Sequence, residues 1–178
     1  MFFENDSDIK IAGDKPSADI KKNAGVKEDK SITKQQLEAA KKVGAKVAQL
    51  FVKDDADQQS GENTDYALLL QRRLLLSFSA TAGFEQYIGD DTLVGVAQKS
   101  FLDTVRKAGE DIYKTSSDMG AFSFYYLAFR RGSDIERRMG QTFAMLCSHD
   151  GDPIFQELGE ALYCWFTSVV KKTAEEFF

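Results

Sequence analysis

The stretch Asp65-Tyr66-Ala67-Leu68-Leu69-Leu70-Gln71-Arg72-Arg73-Leu74-Leu75-Leu76-Ser77-Phe78-Ser79-Ala80-Thr81-Ala82-Gly83-Phe84-Glu85-Gln86-Tyr87-Ile88 decides the fold. At about 100° per residue, its six leucines point in nearly every direction around a helical axis. A helix that is apolar all round is a buried one. The segment is therefore expected at the centre of an all-α domain, an antiparallel bundle of five to six helices packed around residues 65–88. Gly89 supplies a C-terminal stop and Asp90 an acidic N-cap immediately after it, so the next helix must turn back sharply.

The neighbouring segments carry narrower apolar stripes, which suits helices that surround a centre. From about Thr33 to Val52, Leu37, Ala40, Gly44, Val47 and Phe51 recur at helical spacing, with lysines on the opposite face. The acidic run from Asp54 to Asn63 is expected to be a solvated connector. Its spacing fails as a calcium loop, because counting from Asp55 the Gly comes one place late and position twelve is Tyr66. Val94, Ala97, Phe101, Val105, Ala108 and Ile112 predict one amphipathic helix over about Thr92 to Lys114. Ser116 or Ser117 is expected to cap an aromatic helix, about 117–131, carrying Met119, Phe122, Phe124, Tyr125, Tyr126 and Phe129. Arg130-Arg131-Gly132 ends it. Ser133 with Glu136 reads as a capping box for a fifth helix. Asp152 followed by Pro153 starts the last one.

Residues 1–30 read differently. Their large apolar residues, among them Phe2 and Phe3, follow no sustained period and lie among six Lys and seven Asp or Glu. Such a segment cannot bury enough surface to offset its ordering entropy. It is expected to be a flexible tail, with at most a short helix from Ser17 to Asn23, leaving residues 31–178 as a single helical domain. The alternative is an arm that docks on a partner through Phe2 and Phe3.

Charge and composition narrow the partners. With 23 Lys and Arg against 28 Asp and Glu, the formal net charge is −5. This argues against nucleic acid, whose phosphates are bound by neutralising cations, and against an anionic membrane surface. The longest uncharged runs are 11 residues, short of the roughly 20 that cross a bilayer. The chain is expected to be soluble and cytoplasmic. Cys147 and Cys164 flank a turn near Gly151 with a mismatch of about nine residues, or roughly 13 Å along an antiparallel pair. That exceeds the Cα separation a disulfide tolerates, so both are expected to be reduced.

Little in the chain points to catalysis. The single His149 excludes any site built on two histidines, and no nucleophile elbow, phosphate-cradling loop or Cys-x-x-Cys pair is present. The run Cys147-Ser148-His149-Asp150-Gly151-Asp152 mixes a thiol, an imidazole and carboxylates. Each residue nevertheless has a structural task at a helix turn, so Cys147 and His149 are expected to be dispensable for activity. Arg72 and Arg73 diverge by about 100° within the apolar helix, and a buried guanidinium needs an acid. Glu85, Asp103, Asp118 and Glu160 are the expected partners, with Arg73 buried and Arg72 exposed. Seven glycines (Gly44, Gly83, Gly95, Gly109, Gly120, Gly140 and Gly159) fall inside expected helices, each costing roughly 1 kcal/mol against Ala. Close helix approach is the favoured reason.

These features predict a non-enzymatic interaction or regulatory module that binds a protein partner or itself, with no cofactor, metal, nucleic acid or membrane. The alternative is a small-molecule-binding bundle with a cavity beside the aromatic helix. Arg73, Phe122, Tyr125 and Tyr126 would line that cavity, with Arg73 receiving an anionic ligand.

Overall fold

The structure is a computed structural model that describes residues 32–60, 65–118, 120 and 122–178. Among these residues the chain is all-α, with no strand. The helices are α1 (Lys34–Gln59), α2 (Tyr66–Ile88), α3 (Asp91–Ala108), α4 (Glu110–Ser116), α5 (Ser123–Arg130), α6 (Ile135–Leu146) and α7 (Pro153–Phe177). The expected tail, its short helix and Met119 lie outside the described residues.

Four of the helices start on side-chain caps that satisfy orphan N–H groups. The Thr33 hydroxyl accepts from Gln36 N while the Gln36 side chain accepts from Thr33 N, a capping box. Asp65 accepts from Ala67 N and Leu68 N, Asp90 from Thr92 N and Leu93 N, and Asp152 from Ile154 N. Gly89 ends α2 with φ 76°, a left-handed turn that glycine enters without strain.

α2 is central, as its apolar sequence predicts, but not buried all round: burial is concentrated from Leu74 to Phe84, while Leu68 is half-buried and Leu70 exposed. The helix touches α1, α3, α4, α6 and α7, and its Phe78 meets the rings of Phe122, Tyr125, Tyr126 and Phe129. The four long helices are knitted by Phe51, Phe84, Phe101 and Phe166, whose rings adjoin at centroid distances of 5.6–6.2 Å. α1 and α3 run in the same direction. Lys41 and Ala45 face Val96 and Ser100, and Val52 and Gln59 face Ala108 and Ile112. α7 runs against α1, since Phe51 meets Phe166 while Lys46 pairs with Glu176 nearer the far end.

The glycine reading holds at four positions. A Cβ on Gly44 would lie 2.1 Å from the Ala97 carbonyl oxygen, and one on Gly140 2.2 Å from that of Gln156. A Cβ on Gly159 would lie 2.5 Å from the Phe143 side chain, and one on Gly83 2.9 Å from that of Val170. Gly95 has open space beside it, Gly109 sits between two helices, and Gly120 lies outside any helix.

Several boundaries differ from the sequence reading, and seven helices form among the described residues where five or six are expected. α1 continues to Gln59 instead of stopping at Val52, because Asp54 and Asp55 are neutralised by arginines of α2 and do not oppose the helix dipole as free acids would. The expected helix 92–114 breaks at Gly109, whose backbone is extended. Val105 and Ile112 stay buried on either side, so the apolar period runs through the break unchanged. Neither Ser116 nor Ser117 starts the aromatic helix: their hydroxyls donate back to the Ile112 and Tyr113 carbonyls at the end of α4, and α5 begins at Ser123. The Ser133–Glu136 capping box is also absent. Asp134, at φ 51°, precedes α6 without a side-chain cap, and the Ser133 hydroxyl accepts from Arg138 Nη2.

Candidate functional sites

The two arginines of α2 form a double clamp. Arg72 Nε and Nη2 donate to the two Asp54 oxygens at 2.9 and 2.7 Å, and Arg73 Nε and Nη2 donate to those of Asp55 at 2.6 and 3.0 Å. Gln59 donates a further bond to Asp55. Planar forks of this kind are the strongest carboxylate pairings available to a side chain. The four acids expected as partners are not used, and the division into a buried Arg73 and an exposed Arg72 is wrong. Their side chains are 14% and 16% exposed. Adjacent arginines diverge on one helix as adjacent aspartates do on another, so two matched pairs form where one was expected.

The same clamp removes Arg73 from the aromatic cavity. Arg73 lines an open groove with Val52, Ala108 and Ile112, where the other charged residues are Asp55, Glu110 and Asp111. An anion entering there meets three carboxylates and a guanidinium already paired.

The aromatic residues mostly build core. Tyr125 is fully buried and stacked on Phe78 at 5.5 Å, and burial pushes its phenol far above the ordinary range. Its hydroxyl makes no hydrogen bond to another described residue. Phe122 and Tyr126, in contrast, do line a cleft of about 250 Å³ between α2, α3 and the α4–α5 segment. Thus the structure brings together Phe122 and Tyr126, buries Tyr125 behind them, and places Arg73 in a different groove. The charged residue that lines the cleft is Glu85, whose carboxyl is pushed up by burial and then by the charge of Asp91.

At the α6–α7 turn, burial and the charge of Asp65 push the Cys147 thiol up to about 11. It is therefore protonated at neutral pH, the opposite of what a nucleophile requires. The His149 ring lies flat on Phe155, centroids 3.7 Å apart, with Nδ1 4.0 Å from Asp152. Asp152 caps α7. Both cysteines are free thiols. Among the described residues no group of three or more His, Cys, Asp or Glu is arranged to hold a metal, and no helix is long and apolar enough to cross a membrane.

One surface escaped the sequence reading. Phe124 and Leu127 of α5 and Met145 of α6 are 50%, 60% and 42% exposed and line one groove of about 240 Å³. Arg131 and Arg138 line it too, and neither has a carboxylate partner among the described residues. Arg138 Nη1 is buried without a hydrogen bond. The signal was available in α5, which is apolar around most of its circumference yet spans only eight residues, too few to be wrapped on every side. Set beside known proteins, the chain matches no family model, no curated protein and no solved structure.

Proposed function

We propose that the domain is a non-enzymatic helical interaction module whose docking face is the α5–α6 groove, and that its partner is an acidic amphipathic segment of another protein. The observation that carries this reading is the contiguous exposure of Phe124, Leu127 and Met145 beside Arg131 and Arg138. Contiguous exposed apolar side chains with a polar rim are the mark of an interaction site. Two arginines without ion pairs give this groove a positive rim in a chain of net charge −5. An acidic helix laid in the groove would bury its apolar stripe on Leu127 and Phe124 and set its carboxylates beside the positive charges of Arg131 and Arg138.

A labelled synthetic helix with a leucine stripe flanked by glutamates tests the reading by fluorescence anisotropy, against the same helix with lysines. The expected result is saturable binding of the acidic helix only, weakened by salt and reduced about tenfold or more by Leu127→Asp, the loss of one buried anchor. Equal binding of both helices, or indifference to Leu127→Asp, overturns it. A wild-type dimer that Leu127→Asp converts to monomer in sedimentation also overturns it, by assigning the face to self-association.

A further inference from the structure

The cleft lined by Phe122 and Tyr126 has a chemistry of its own, and it lies apart from the α5–α6 groove. Its walls are aromatic: Phe84, Phe101 and Phe122 are buried, and Tyr126 is half-buried beside them. Three of its hydroxyl donors are already committed. Thr81 donates to the Ser77 carbonyl, Ser116 to that of Ile112 and Ser117 to that of Tyr113, so these groups offer the cleft only acceptor lone pairs. Glu85 is exposed at the rim and makes no ion pair or hydrogen bond with another described residue. Asp91 lies close enough to add its negative charge to that of Glu85. Arg130, whose charge reaches Tyr126, forms no ion pair with Glu85.

We infer that this cleft binds a small organic ammonium ion, with the cationic head between Glu85 and the Tyr126 ring and its alkyl groups against Phe84, Phe101 and Phe122. Aromatic faces carry negative quadrupoles that attract such cations, more strongly where water is displaced. A lone carboxylate with unused acceptors favours a cation over an anion by simple Coulomb attraction. The size fits: about 250 Å³ is room for roughly eight waters at about 30 Å³ each, enough for a compact amine and too little for a nucleotide. The charge is opposite to the anion that the sequence suggests, because Glu85 and not Arg73 faces the aromatic residues.

Isothermal titration of the full chain with choline, and with its uncharged isostere in which a quaternary carbon replaces the nitrogen, tests this. Choline is expected to bind about tenfold or more tightly than the isostere, which corresponds to a cation–π and charge contribution of about 1.4 kcal/mol. Glu85→Gln, an exposed and isosteric change that leaves the fold intact, is expected to remove that preference. Tyr126→Leu should weaken choline similarly, while Glu110→Gln, in the separate α1–α4 groove, should not. Equal affinity for choline and the isostere overturns the inference, as does a Glu85→Gln variant that binds choline unchanged. Absence of saturable binding for both choline and benzyltrimethylammonium also overturns it. Tighter binding of a trimethyl-lysine peptide than of choline overturns the assignment to a free compound.

Discussion

The four long helices and the three short ones are built to different standards. α1, α2, α3 and α7 span 26, 23, 18 and 25 residues, and each starts on a side-chain cap. α4, α5 and α6 span 7, 8 and 12 and have no side-chain cap at their starts. The long helices meet through buried phenylalanines, through backbone contact at Gly44 and through the paired Arg–Asp clamp. The short ones leave Phe124, Leu127 and Met145 exposed and, in the same groove, leave Arg131 and Arg138 without carboxylates. The long helices also expose apolar side chains, Leu50, Tyr66, Leu70, Ile154 and Trp165, so what sets the short helices apart is that theirs line one groove together with two arginines. The short helices keep these apolar and charged groups at their surface, and both candidate binding sites border them. Short helices gain little from their own hydrogen bonds and depend on what they pack against, so they are the cheaper place to keep surface available for a ligand.

Substitutions can break this comparison. Gly44→Ala would set a Cβ against the Ala97 carbonyl, and should destabilise the domain by about 3 kcal/mol or more in denaturant unfolding. Gly95→Ala, also helical but with open space beside it, should instead stabilise by about 0.5–1 kcal/mol. If both behave alike, α1 and α3 are not in backbone contact. Arg73→Ala strands the buried Asp55 and should cost about 3 kcal/mol. A double-mutant cycle with Asp55→Ala should recover much of that loss, and a cycle showing no coupling would remove the clamp from the long-helix region.

Smaller effects sharpen the contrast. Asp152→Ala removes the cap of α7 and should cost about 1 kcal/mol. Asp134→Asn, which keeps a residue type that tolerates the φ of 51° at a helix start with no cap bond, should change stability by under about 0.5 kcal/mol. Cys147 reports on how well the end of α6 is covered. Its folded-state thiol is raised from 9.0 to about 11. As pH rises the unfolded chain therefore loses this proton first. The thiol's contribution is fully present below about 9 and is lost as the pH passes about 11. Cys147→Ser should flatten the fall in stability measured across that window, and an unchanged slope would show that the thiol is not desolvated. Leu127→Asp should change stability least, by under about 0.5 kcal/mol in thermal melts, because the side chain is already 60% exposed. A large loss would mean that α5 is packed like the long helices.

Short-range chemistry made much of this molecule legible. The starts at Asp65, Asp90 and Asp152 and the stop at Gly89 depend on a side chain meeting a backbone group within one turn, which adjacent letters record. The misreadings at Ser116, Ser117 and Ser133 come from the same source: hydroxyls that look like caps donate to a carbonyl one turn back or accept from Arg138 instead. The candidate cavity was half legible. Phe122 and Tyr126 do line a cleft, whereas Tyr125 points into the core, since residues adjacent on a helix face different surroundings.

By itself the sequence determined that the domain is all-α, that the second half of α2, from Leu74 to Phe84, lies at its centre, and that long helices begin near Thr33, Asp65, Asp90 and Asp152. Only the tertiary structure decided that Arg72 and Arg73 meet Asp54 and Asp55, that α1 therefore runs on to Gln59, that Gly109 divides one apolar stripe between two helices, and that Glu85 faces the aromatic cleft. The reason is the range of the forces. Burial and capping act on each segment's own pattern, while ion pairing and cavity lining depend on which faces of distant helices meet, and no local period specifies that.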